Sequence, residues 1–169
     1  QIERYQADVR RRHRLTDEEL RDLIQLAIRR PDAEDIFFLV GEALAGSERA
    51  RLRRLLPRRL GYMLARRRVR RRLQRLFGRS LGGFGGGVFT FEGRSLPFIQ
   101  SDPGGDACAI VSGLCQAVVS RYVRVEPLVV HVACQARGND RCQWTVTGEG
   151  AARTPRTERV RVEGAEAGR

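Results

Sequence analysis

Four side chains that can grip a metal ion, Cys108, His131, Cys134 and Cys142, constrain this chain more than any other feature. Cys134 and Cys142 are separated by seven residues that include Gly138 and Asn139, a spacing that brings two sulfurs to the base of a β-hairpin. His131 precedes Cys134 by three positions, and Cys108 falls in the first turn of the helix expected before the hairpin. Three thiolates and an imidazole suit Zn2+, which takes such donors tetrahedrally at about 2.0–2.3 Å. Four protein donors fill the shell, so such an ion is structural and not a Lewis-acid catalyst. Spacing alone leaves two alternatives open, a Cys134–Cys142 disulfide and simple buried thiols. One condition must hold. Residues three apart on a regular strand face opposite ways, so the strand must bend or end near Val132. Cys115 follows Cys108 by two helical turns, about 10 Å along the axis, too far to share one ion; it reads as a core thiol. His13, in an Arg-rich stretch, reads as a solvated side chain.

The rest of the chain divides into helices first and strands later. Thr16 and Glu19 form a capping box for a helix with Leu20, Leu23, Ile24 and Ala27 on one stripe, stopped by Pro31. A second helix starts near Asp32 and ends at Gly46, and Ser47 can cap a third that meets Pro57. In residues 58–77 the apolar pattern changes phase: Leu60, Met63 and Leu64 lie nearly opposite Val69, Leu73, Leu76 and Phe77. That helix should break near Arg66–Arg68 or bury its halves against different partners. Residues 82–87 read as a glycine hinge before a strand at 88–91, with a return strand at 95–100. A phosphate-binding loop is excluded there, because the order is helix, glycines, strand and not strand, turn, helix. A turn at 102–106 leads into a helix at 107–122, and strands near 123–132 and 142–147 close the domain. The reading is N-terminal helices over 1–46, a zinc-binding domain over 47–148 and a loosely held tail over 149–169.

Charge is sharply segregated. All 32 basic residues are Arg, and 14 of them fall between Arg49 and Phe91, where there is no acid. The remaining 18 face 20 acids, so the net charge of +12 belongs to one segment. The stretch from Arg49 to Arg79, with Arg58, Arg59, Arg66, Arg67, Arg68, Arg70, Arg71 and Arg72 at its centre, suits an acidic protein surface or an anionic membrane face. Nucleic acid fits less well, since Tyr62 and Phe77 are sparse for base stacking. No apolar run is long enough to span a bilayer, and no signal-peptide core is visible.

From about Leu60 to Val146 the chain resembles the 4-vinyl reductase domain family, which also supplies sensory domains of phenol- and toluene-responsive activators. The resemblance rests on Gly86-Gly87-Val88-Phe89, on Asp106-Ala107-Cys108 followed by Gly113, and on the run from Cys134 to Trp144. In the sensory members a Cys before a helix, then Glu, Cys and Cys, hold zinc. These positions fall on Cys108, His131, Cys134 and Cys142, with His in place of Glu as a departure. The resemblance implies an α+β fold shared with transport-particle subunits, helices on one twisted antiparallel sheet, often as homodimers. It also implies a pocket for a small hydrophobic molecule, for which Phe37, Met63, Phe84, Phe89, Phe91 and Phe98 are the lining candidates.

No catalytic apparatus accompanies these motifs: there is no nucleotide fingerprint, no free acid–base pair and no nucleophile with a spare histidine. The leading expectation is a non-enzymatic, zinc-stabilised binding or accessory module. The family's link to bacteriochlorophyll makes a cytoplasmic-side peripheral subunit of a photosynthetic membrane complex one version. A protein of tetrapyrrole vinyl reduction and the sensory domain of a regulator are the alternatives.

Overall fold

Small residues, more than large ones, decide how the helices of this protein pack. The computed structural model describes residues 17–46, 57–77, 81–85, 89–123 and 127–147. Thr16, His13, the helix expected after Ser47 and the tail from 149 lie outside them. Among the described residues the fold is α+β, with helices α1 (Asp17–Ala27), α2 (Ala33–Leu44), α3 (Arg58–Phe77) and α4 (Ala109–Tyr122). A Cβ on Gly41 of α2 would strike the Ile110 carbonyl, and one on Gly113 of α4 would strike the Phe38 carbonyl. The two glycines let these helices approach backbone to backbone, with Ala33 and Phe37 completing the buried face of α2. Gly61 does the same for α3, whose Cβ would meet the Tyr122 carbonyl at the end of α4.

Of the two outcomes that the phase change in residues 58–77 allows, the break does not occur in helix α3. It runs unbroken for 20 residues, and its inner face is Gly61, Tyr62, Ala65, Val69 and Leu73, one stripe at helical spacing. Leu60 and Met63 point to solvent instead, 38% and 56% exposed. The close approach at Gly61 sets the rotation of the helix, so Tyr62 goes inward while Leu60 and Met63 lose the competition for the core.

The sheet has strands β1 (Gly82–Phe84), β2 (Thr90–Gly93), β3 (Leu128–Ala133) and β4 (Cys142–Thr147), in the order β1-β2-β4-β3 with every pair antiparallel. The hairpin therefore uses part of the glycine stretch as a strand, and the expected return strand at 95–100 is absent. Those residues form successive turns, with Ile99 N–H donating to Leu96 O at 3.1 Å and Ser101 N–H to Phe98 O at 3.2 Å. Pro97 has no N–H to give a ladder, and Ser95 takes a positive φ of 50°, so the segment curls and drops Leu96 and Phe98 into the core. Trp144, Phe89, Phe91, Phe98 and Leu114 are the largest fully buried side chains of one cluster that also takes in Phe37 and Ile24 from the N-terminal helices.

Candidate metal centre

Each of the four ligand candidates is delivered by a different local device. Cys108 ends a 3-10 helix, Asp106–Cys108, that leads into α4. The loop before it is organised by the buried carboxylate of Asp102, which accepts N–H donors from Gly104 at 3.1 Å, Gly105 at 3.0 Å and Ala107 at 2.5 Å. Cys134 follows β3 and opens a second 3-10 helix, Gln135–Arg137. Its carbonyl accepts the Arg137 and Asn139 amides, both at 3.1 Å, and its own amide donates to Asn139 Oδ1 at 3.0 Å. Gly138, at φ 89°, turns the chain back toward Cys142 at the start of β4.

His131 meets the condition set by its spacing. The β3–β4 register passes from His131 opposite Trp144 to Ala133 opposite Gln143, so Val132 is an extra, bulged residue. One inserted residue shifts the side-chain phase, and positions 131 and 134 reach the same side. The imidazole stacks on Trp144 with centroids 4.6 Å apart and planes 10° apart. Trp144 is held in turn by its indole N–H, which donates to the buried Ser112 hydroxyl of α4 at 3.1 Å.

Donor atoms of Cys108, His131, Cys134 and Cys142 all lie within 4.8 Å of one another. Cys108 Sγ stands 3.9 Å from Cys134 Sγ and 3.9 Å from Cys142 Sγ. Bonds of about 2.3 Å to a tetrahedral ion give a sulfur–sulfur edge of about 3.8 Å, whereas a disulfide needs about 2.05 Å. The cysteines are free and buried. His131 Nε2 is buried without a hydrogen-bond partner, and a cation would take its lone pair. The Gln135 amide donates to Cys142 Sγ at 3.2 Å, as suits a thiolate. Without a cation, the hydrogen bond from Cys108 pulls the Cys142 thiol down to about 4, with His131 and the Gln135 amide helping against burial. That same bond, then burial, pushes Cys108 up, so one proton stays on Cys108. The arrangement is a Cys3His site that fits a metal ion. Cys115 is fully buried elsewhere on α4 and its thiol is pushed up by burial alone.

Comparison with protein-family models, curated proteins and solved structures finds no match. The family resemblance therefore stands on the quoted motifs alone, and the centre is read from its own geometry.

The other candidate residues separate into two groups. Phe84 lies 5.2 Å from Phe89 and 5.4 Å from Phe91, ring to ring, and Phe91 lies 5.7 Å from Trp144. Phe98 packs on Phe77 at 6.3 Å, and Phe37 is buried on the inner face of α2. These rings fill the core against one another, and Met63 faces outward. An open groove of about 400 Å³ runs past Gly82, Gly83, Phe84, Glu92 and Arg141; of the six lining candidates, Phe84 alone touches it. Along α3, Arg58, Arg59, Arg67, Arg70 and Arg71 are exposed, while Arg66, Arg68 and Arg72 are half-buried. Arg66 covers the Phe84 ring at 5.6 Å, and Arg72 shares the Ala45 carbonyl with Arg121, at 3.4 and 3.1 Å. No helix among the described residues is long and apolar enough to cross a membrane.

Proposed function

We propose that this chain is a non-enzymatic binding module, pinned by one structural Zn2+ and docking through the Arg-rich face of α3 on an anionic partner. The observation that carries the zinc assignment is the pair of 3.9 Å sulfur–sulfur separations at Cys108, close to the edge of a tetrahedral thiolate shell. Three soft sulfurs with one imidazole favour Zn2+ among common divalent ions, and the filled shell gives it a structural role. The ion would tie the start of α4 to the β3–β4 hairpin, whose ligands His131, Cys134 and Cys142 are 23, 26 and 34 residues from Cys108. Reduced thiols of this kind are at home in a cytoplasmic setting. A small hydrophobic ligand is the weaker version of the proposal, because most of its candidate wall is occupied by packed rings. Roles in tetrapyrrole vinyl reduction or as a regulator's sensory domain rest on the motif resemblance only.

Elemental analysis of the purified chain tests the reading. The expected result is one zinc per chain, with Co2+ exchange giving the visible bands of a tetrahedral thiolate site. A Cys134–Cys142 disulfide in peptide mapping, or a fold indifferent to chelation, would overturn it.

A further inference from the structure

Helix α3 carries nine Arg in 20 residues and spans about 30 Å, so its solvent face is a rod of guanidinium groups. What lies among them narrows the partner. Opposite the buried stripe of Tyr62, Ala65, Val69 and Leu73, the exposed side chains in angular order are Arg59, Arg70, Met63, Gln74, Arg67, Leu60 and Arg71. Met63 and Leu60, 56% and 38% exposed, sit in the middle of the cationic face and not at its margin. We infer that this face docks on an anionic phospholipid surface, an inference that rests on the docking reading and names its partner.

A headgroup layer accommodates the whole face at once. Guanidinium groups meet phosphates at the surface, their stems lie along it, and Leu60 and Met63 reach the less polar layer below. A nucleic-acid duplex offers the arginines phosphates but gives these two side chains only the scattered thymine methyls of its grooves. The face also exposes no aromatic for stacking, since Phe77, at the angle of Arg59, is packed on Phe98. An acidic protein patch would have to bury Leu60 and Met63 against its own charges. Position in the helix adds to the field: the first turn holds Arg58 and Arg59 where acids are usual, at the end where the backbone dipole is already positive. Between Arg49 and Phe91 no carboxylate along the chain offsets that field. Because the inner stripe of α3 is committed to the core, the helix stays seated on the protein and attachment is superficial, reversible and salt-sensitive.

The test is co-sedimentation of the full chain with vesicles of phosphatidylcholine alone or of equal parts phosphatidylcholine and phosphatidylglycerol, at about 50 and about 300 mM NaCl. The expected result is pelleting with the anionic vesicles only, weakened about tenfold or more at the higher salt. Arg67→Glu with Arg70→Glu and Arg71→Glu should cost about a hundredfold in vesicle affinity. Leu60→Ser with Met63→Ser should cost about tenfold. Zinc content reports whether either variant keeps its fold, and the wild-type comparison of the two vesicle types stands whatever the variants do. Failure to pellet with phosphatidylglycerol at low salt, or pelleting indifferent to loss of Leu60 and Met63 in a zinc-loaded variant, overturns the lipid assignment. So does a short DNA duplex that strips the chain from vesicles at equal phosphate; the docking reading would then survive with a different partner. A missing zinc would show in the metal analysis and not in the pellet.

Discussion

Two glycines beside the candidate centre share a backbone conformation and differ in what surrounds them, which separates strain from contact. Gly105 and Gly138 have φ of 77° and 89°, so an L side chain at either costs about 1 kcal/mol in backbone strain. A Cβ at Gly138 would meet nothing within 4 Å, whereas one at Gly105 would lie 2.7 Å from Cys134 Sγ. That is about 1 Å inside ordinary contact. Relief requires either shifting the sulfur or opening the Asp102 loop that carries Cys108. Both moves exceed the roughly 0.2 Å that a metal–ligand bond tolerates. Gly105→Ala should therefore lose about 2–4 kcal/mol of stability, adding about 1–3 for overpacking to the strain. Its zinc affinity should fall about 10- to 100-fold, as when a metal's supporting shell is disturbed. Gly138→Ala should lose about 1 kcal/mol and hold zinc nearly as tightly as the parent. Chelator competition with a chromogenic dye measures the affinities, and urea unfolding the stabilities. Equal zinc affinity in the two variants would refute the argument, because it assigns the difference to the Gly105–Cys134 contact alone.

Three more outcomes follow from the same geometry. Cys142→Ser should abolish stoichiometric zinc while Cys115→Ser keeps it; normal metal content in the Cys142 variant would remove that residue from the site. Asp102→Ala takes away a buried acceptor of three amides and should destabilise the fold by about 3 kcal/mol, read by urea unfolding, with an effect under about 1 kcal/mol counting against its organising role. Zinc loading at neutral pH should release the proton that Cys108 holds when no cation is present. Since the ion requires the thiolate, affinity must rise with pH; calorimetry in two buffers of different ionisation enthalpy measures the release, and none at all would contradict the assignment.

The donors of the centre were legible because their chemistry and local spacing are written in the chain. Cys134, Gly138, Asn139 and Cys142 belong to one turn, and short-range turn geometry follows from residue type. The bend at Val132 was legible too, as the only way for His131 and Cys134 to agree. Asp102 and Gly105 were harder. The motif Asp102-Pro103-Gly104-Gly105 signals a turn, but the three amides that the Asp102 carboxylate gathers are set by the folded loop, and the need for Gly105 comes from a sulfur 29 positions away in sequence. The strand expected at 95–100 failed for a related reason. Alternation can place Leu96 and Phe98 on one face, and so can a series of turns that drops both into the core.

Residue identity alone settled which atoms could ligate a soft cation, where the chain must turn and where the positive charge is concentrated, since these depend on a side chain and its near neighbours. Tertiary packing decided the rest. The close approaches at Gly41 and Gly113 seated α2 against α4, the Gly61–Tyr122 approach set α3 with Tyr62 inward and Met63 outward, and the β1-β2-β4-β3 order set β4 between β2 and β3. Convergence of Cys108 with the hairpin depends on how closely a helix can lie against a sheet, a distance fixed by the volumes of residues far apart in the chain and by no local pattern.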